Sequence, residues 1–169
     1  MTQDFLNNLD NFNIEQLEEI YLGLEDNVDV SIYANPKFNQ YQMLEIRYGL
    51  KKGLDMSPYA KPEFDDEQLG QIRESLEEGL DISLSAKPEF DPCQMITINR
   101  GVKEGVDVSI YAKPEFECLV MEEMLEGLLK GMSKAEIAGT YIAPIIAQKS
   151  AVEKRKQALI KGIKKMLNK

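Results

Sequence analysis

Apolar positions recur along this chain with two periods. Leu17, Ile20 and Leu24 return as Met43, Ile46 and Leu50, then as Leu69, Ile72 and Leu76, then as Met95, Ile98 and Val102, and finally as Met121, Met124 and Leu128. Steps of three and four put each set on one face of a helix. Phe12, Phe38, Phe64, Phe90 and Phe116 keep the longer period, 26 residues, with no insertion. The polar positions follow it too. Asn13, Asn39, Asp65 and Asp91 come directly after the first four phenylalanines, and Gln16, Gln42, Gln68 and Gln94 stand three residues further on. Asn or Asp at the N-cap with Gln at the third helical position predicts a capping box. In the fourth unit Pro92 takes the first helical position, where its missing N–H costs nothing. Gly53, Gly79, Gly105 and Gly131, with Asn27 in the first unit, fit the left-handed residue that ends a helix. Each predicted helix runs about 13 residues, or roughly 20 Å.

Gly23, Gly49, Gly101 and Gly127, with Ser75 in the third unit, fall inside the helices at one register. An interior glycine lowers helix stability by about 1 kcal/mol, so a small residue kept there implies a close neighbour. After each stop comes a segment such as Val28–Ala34, repeated at 54–60, 80–86 and 106–112 and closed by Pro36, Pro62, Pro88 and Pro114. Its Val, Ile and Tyr favour a strand. Its leading Asp, and Ser133-Lys134-Ala135-Glu136 at the same place in the fifth unit, favour a short capped helical turn, which is the expectation taken.

Within this frame two groups are candidates for contacting a partner. Tyr33, Tyr59 and Tyr111, with Ser85 interrupting the row and Lys37, Lys61, Lys87 and Lys113 nearby, make either a binding strip or wedges between repeats. Arg47 and Arg73 share a mid-helix position with Tyr21 and Asn99, where the chemistry varies from unit to unit. The fifth unit departs from the pattern: Glu117 and Val120 weaken its cap, and its second helix is longer, about 133–141.

Beyond Pro144 the pattern changes. Ile145, Ile146, Val152, Leu159, Ile160, Ile163, Met166 and Leu167 predict one amphipathic helix over about 145–167, with Lys149, Lys154, Arg155, Lys156, Lys161, Lys164 and Lys165 over much of the remainder. Charge divides at the same point. Residues 1–144 hold 12 Lys and Arg against 28 Asp and Glu, a net of −16, whereas residues 145–169 carry +7. The basic helix caps the last repeat, lies across the acidic repeats, or meets phosphate or a membrane surface. Residues 1–11, with Phe5, Leu6 and Leu9, read as a cover for the first repeat.

The chain is 169 residues long and 43% hydrophobic, enough for a continuous core. There is no apolar run long enough to span a bilayer and no signal peptide, so the expected location is cytoplasmic. Cys93 and Cys118 are then expected as free thiols. The absence of histidine removes Ser/His/Asp and Cys/His triads and His-ligated zinc. No phosphate-binding glycine loop occurs, Asp26-Asn27-Val28-Asp29 is only a fragment of a calcium loop, and Asp65-Asp66 reads as a first-turn dipole partner. The expectation is a non-enzyme with no cofactor and no metal.

The stretch Gln42-Met43-Leu44-Glu45-Ile46-Arg47-Tyr48-Gly49-Leu50, continuing to Pro62-Glu63-Phe64, resembles a short helical repeat found in proteins of phages and conjugative elements of gut Firmicutes. The resemblance covers residues 12 to about 131 and leaves out the basic tail. It implies a mobile-element origin and a counter-defence role, such as an anti-CRISPR that binds a host effector. The reading is an all-α solenoid: an N-terminal cap at 1–11, a five-unit repeat array at 12–144 and a basic helix at 145–169. Its expected function is protein binding, with inhibition of a host defence nuclease as the sharper form. The alternative is nucleic-acid binding through the basic helix, and an oligomeric scaffold is the third possibility.

Overall fold

A computed structural model describes residues 9–167, which leaves most of the expected N-terminal cap, including Phe5 and Leu6, outside the described residues. The fold is all-helical, with no strand among the described residues. A 3-10 turn at Leu9–Asn11 leads into α1 (Ile14–Glu25), α2 (Gln40–Lys51), α3 (Asp66–Glu77), α4 (Pro92–Lys103), α5 (Cys118–Leu129), the short α6 (Lys134–Ile137), a π-helical turn (Ala138–Ile142) and α7 (Ala143–Leu167). Contacts divide the chain into two units, Met1–Cys118 and Leu119–Lys169. The fifth repeat's helices therefore group with the basic helix instead of with repeats one to four.

In the first unit every predicted start and stop is present. Asn13, Asn39, Asp65 and Asp91 each accept the backbone N–H of the glutamine three residues on, and that glutamine accepts the cap residue's N–H in return. Asn27 and the glycines 53, 79 and 105 hold positive φ, from 57° to 78°. The Asp-led segments form turns, two of them single 3-10 turns at Val30–Ile32 and Val108–Ile110. Asp29 and Asp107 accept the N–H of the serine two residues on, at 3.0 Å each, so the side chain competes with any strand ladder.

Helices pack on their sequence neighbours: α1 on α2, α2 on α3, α3 on α4. Phe38, Phe64, Phe90, Met43, Ile46, Leu69, Ile72, Met95 and Ile98 are almost wholly buried. The third residue of each predicted stripe is not: Leu24 is exposed, and Leu50, Leu76 and Val102 are half-buried. The interior small residue takes that place in the core. A Cβ on Gly101 would lie 2.0 Å from the Tyr111 hydroxyl and 2.6 Å from Val108 Cγ1, and one on Gly23 meets Tyr33 and Val30 in the same way. Gly101→Ala is therefore expected to destabilise by about 2 kcal/mol, overpacking outweighing the gain in helix propensity. Adding Tyr111→Phe should recover part of the loss in urea unfolding.

The N2 residue of α4, Cys93, and the first residue of α5, Cys118, form a disulfide with Cα atoms 5.9 Å apart. This corrects the expectation of two free thiols. Twenty-five residues separate them, one fewer than the repeat, so a one-residue offset brings two helix starts side by side. Reduction is expected to lower unfolding free energy by about 3.5 kcal/mol by the loop-closure relation, measured as a shift in thermal midpoint with and without reductant.

In the second unit, Ser133 and Glu136 form the predicted capping box. Gly127 again faces a close neighbour, Ile137 Cδ1, 2.7 Å from where a Cβ would stand. The predicted break at Pro144 does not occur, and backbone runs helically from Lys134 to Leu167. A proline ring clashes with the carbonyl four residues back in a regular helix. The π turn directly before it, with Ala143 N–H donating to Ala138 O, widens the helix there. Among the described residues no helix is long and apolar enough to cross a membrane.

Candidate protein-binding face

The residues that repeat in sequence are spent inside the first unit. Each capping-box glutamine turns its amide nitrogen to the next unit's Pro-x-Phe turn. Gln68 Nε2 donates to Pro88 O at 3.1 Å and Phe90 O at 2.5 Å, Gln94 does the same to Pro114 and Phe116, and Gln16 and Gln42 repeat the arrangement. One side chain thus closes a helix start and binds the following repeat.

The candidate partner residues lie mainly in internal contacts. Tyr33 and Tyr111 are fully buried, their hydroxyls donating to Glu19 O at 2.9 Å and Thr97 O at 3.3 Å. Burial pushes both phenols far above their ordinary pKa. Tyr59 is half-buried because Met56 fills the space beside Gly49 that Tyr33 fills beside Gly23. Tyr33 and Tyr111 are therefore wedges, Met56 takes that place in the second repeat, and the three tyrosines do not form one exposed strip.

Arg47 is also buried. Its Nε donates to Glu19 at 2.9 Å and its Nη1 to Asp26 at 2.8 Å, both carboxylates belonging to the preceding repeat. Burial works against its charge, and the two carboxylates outweigh it and hold the guanidinium above its ordinary pKa. Asp26 is held below the usual carboxylate range, first by Lys51 at 2.7 Å and then by Arg47. Arg73 pairs with Glu45 of the preceding repeat at 2.7 Å and with Glu77 at 2.6 Å. At the same position in the third junction Asn99 bonds both Ser75 and Ser85, the two residues that replace the glycine and the tyrosine. The departures Ser75 and Ser85 are therefore one compensated change.

What remains outside varies. Ile14, Tyr21, Leu22 and Leu24 on α1, Tyr41 and Tyr48 on α2, and Ile96 on α4 are large apolar side chains left exposed. Tyr41 and Tyr48 stand two turns apart on α2, 57% and 41% exposed. The Arg47 guanidinium sits 4.7 Å from the Tyr48 ring centroid and fixes that ring from one side. Tyr48, Lys51, Lys52 and Arg73 line an open groove of about 490 Å³ between α2 and α3. Lys51 and Lys52 are tied to Asp26 and Glu77. Sequence reasoning missed Tyr41 and Tyr48. Their signal is that both are aromatic, seven residues apart and off the buried stripe.

In the second unit the described cations Lys149, Lys154, Arg155, Lys156, Lys161 and Lys164 are exposed along α7, and the side chain of Lys165 lies outside the described ones. Comparison of the chain with family models, with curated proteins and with solved structures finds no match.

Proposed function

We propose that this protein is a non-enzymatic, protein-binding helical-repeat scaffold. One observation carries the reading: in the first unit the invariant positions are consumed by internal contacts, and the outward positions differ from repeat to repeat and include the exposed pair Tyr41 and Tyr48. Exposed tyrosines offer large contact area at small entropic cost, which is why they concentrate at interface centres, and the Tyr48 ring is already held by Arg47. The partner is a folded protein with a surface that accepts two aromatic side chains. A host defence nuclease is the sharper form of this reading, drawing on the net of −16 over residues 1–144, a field suited to a basic nucleic-acid channel.

Affinity capture with Tyr41→Ala/Tyr48→Ala beside the wild type tests the reading. The double variant keeps its helical circular dichroism and loses the captured partner. Equal capture by both proteins rejects this face. Unchanged interference in a phage challenge rejects the nuclease form.

The nucleic-acid alternative predicts a salt-dependent mobility shift that disappears when residues 145–169 are deleted. Its difficulty is that Val152, Leu159 and Ile163 are exposed along the helix that carries the cations. A cytoplasmic location goes with reduced thiols, whereas the Cys93–Cys118 bond goes with an oxidising compartment. Thiol titration of protein taken directly from its native cell decides between them.

A further inference from the structure

The second unit carries an open half of a helix–helix junction. In the first unit, Gln71, Glu74, Ser75, Glu78 and Leu80 form one wall of a groove that Ile96, Asn99, Arg100 and Lys103 of α4 close down to about 240 Å³. Two repeat steps later the same positions are Glu123, Glu126, Gly127, Lys130 and Met132. They line a groove of about 560 Å³, joined by Leu119, Glu122 and Tyr141, and all of its lining belongs to the second unit. The surface has the register of an interface wall, an apolar floor and three glutamates against one lysine.

The same unit also carries the matching occupant. α7 spans 25 residues, about 37 Å. Val152, Leu159, Ile163 and Met166 fall along one arc of it and are 51–71% exposed, so its own chain does not cover them. Lys149, Arg155 and Lys156 lie within or beside that arc, and Glu153 is the only acid from residue 145 onward. Continuous helix from Lys134 through Pro144 leaves no loop for α7 to fold back onto α5. Pairing two α7 helices with each other, parallel or antiparallel, would join two strongly basic helices with Glu153 the only acid on each. Stacking another copy's α1 on the groove would bring Glu18 and Glu25 to a surface that already holds Glu122, Glu123 and Glu126.

From this geometry we infer that α7 of a second copy docks in the α5 groove: the apolar arc covers Leu119, Met132 and Tyr141, and the flanking cations face the glutamates. Reciprocal exchange of α7 closes a two-fold dimer, with each copy giving a helix and receiving one.

Sedimentation equilibrium of the full chain tests this. The expected result is a closed dimer whose dissociation constant rises with salt, because the flanking charges are exposed to screening. Glu122→Lys/Glu123→Lys, which reverses the groove, and Arg155→Glu/Lys156→Glu, which reverses the helix, should each weaken self-association by about tenfold or more, equivalent to about 1.4 kcal/mol. Mixed together, the two variants should dimerise again, since both contacts in the mixed pair join opposite charges. All four positions are solvent-exposed, and unchanged circular dichroism establishes that each variant folds. A monomer at every concentration overturns the inference, whether or not it binds anionic vesicles or DNA. Open-ended growth overturns it as well, as does a dimer that is indifferent to either reversal.

Discussion

Gln68→Glu is expected to be the most damaging single substitution of a polar residue in the first unit, costing about 3 kcal/mol at neutral pH. Gln68→Ala should cost about 2 kcal/mol. The order follows from the direction of the hydrogen bonds. Gln68 Oε1 accepts the Asp65 N–H at 2.8 Å, and a glutamate can still do so. Gln68 Nε2 donates to two carbonyls of the next repeat, Pro88 O and Phe90 O, in a buried site. A carboxylate has no proton to give and sets an anion against both oxygens, whereas alanine only leaves them unpaired. The pH dependence makes the test sharp. A glutamate so placed has a folded-state pKa above its unfolded value, so protonation favours folding, and a protonated carboxyl regains one donor. The variant's deficit should be full and constant above the folded-state pKa, shrink as pH falls through it, and level off below the unfolded value. Urea midpoints for wild type and variant, measured across that range, check the prediction. A deficit that does not vary with pH, or one smaller than alanine's, contradicts it.

The same glutamine shows how far the sequence could be read. Its capping role is legible because the cap and the third helical residue are neighbours in the chain. Its second role is not, because Pro88 and Phe90 lie some twenty residues on and nothing local points an amide at them. That role also accounts for Val120, which from sequence reads only as a weakened cap. The fifth unit has no following Pro-x-Phe turn to bind, so a glutamine there would have lost half its partners. The interior glycines were legible as a close approach, and their neighbours turned out to be Tyr33, Met56 and Tyr111. Those contacts remove the tyrosines from the surface.

Elsewhere local signals gave way to register. Cys93 and Cys118 look unrelated because their separation misses the repeat by one residue, yet that offset brings them within bonding distance. Pro144 signals a helix end, and a single π turn carries the helix past it. The open groove on α5 becomes visible only when Glu123, Glu126, Gly127, Lys130 and Met132 are laid over a junction that is closed elsewhere in the molecule. Tyr41 and Tyr48 were hidden by the assumption that the apolar stripe accounts for the large side chains.

Arg47→Ala should lower the unfolding free energy by about 2–3 kcal/mol, at the lower edge of what breaking a buried ion pair costs, because Glu19 and Asp26 keep some access to water. Deleting the guanidinium leaves two carboxylates of the preceding repeat facing each other at an interface, with Lys51 the remaining partner of Asp26. It also removes the cation over Tyr48. A companion variant separates charge from packing: Glu19→Gln/Asp26→Asn/Arg47→Met removes all three charges and fills the arginine's volume, and should recover most of the loss, since a buried ion pair rarely outdoes a well-packed apolar replacement. The acid limb gives the second readout. In the wild type the folded-state pKa of Asp26 is depressed, so its contribution is complete above the ordinary carboxylate range and is lost as pH falls through the depressed value. In Arg47→Ala that loss on acidification should lessen without disappearing, because Lys51 still holds the carboxylate, whereas in the triple variant the part due to Asp26 should be absent. Were Arg47→Ala neutral, Arg47 would be a surface residue available to a partner, and the reading of these junctions as internally satisfied would fail with it.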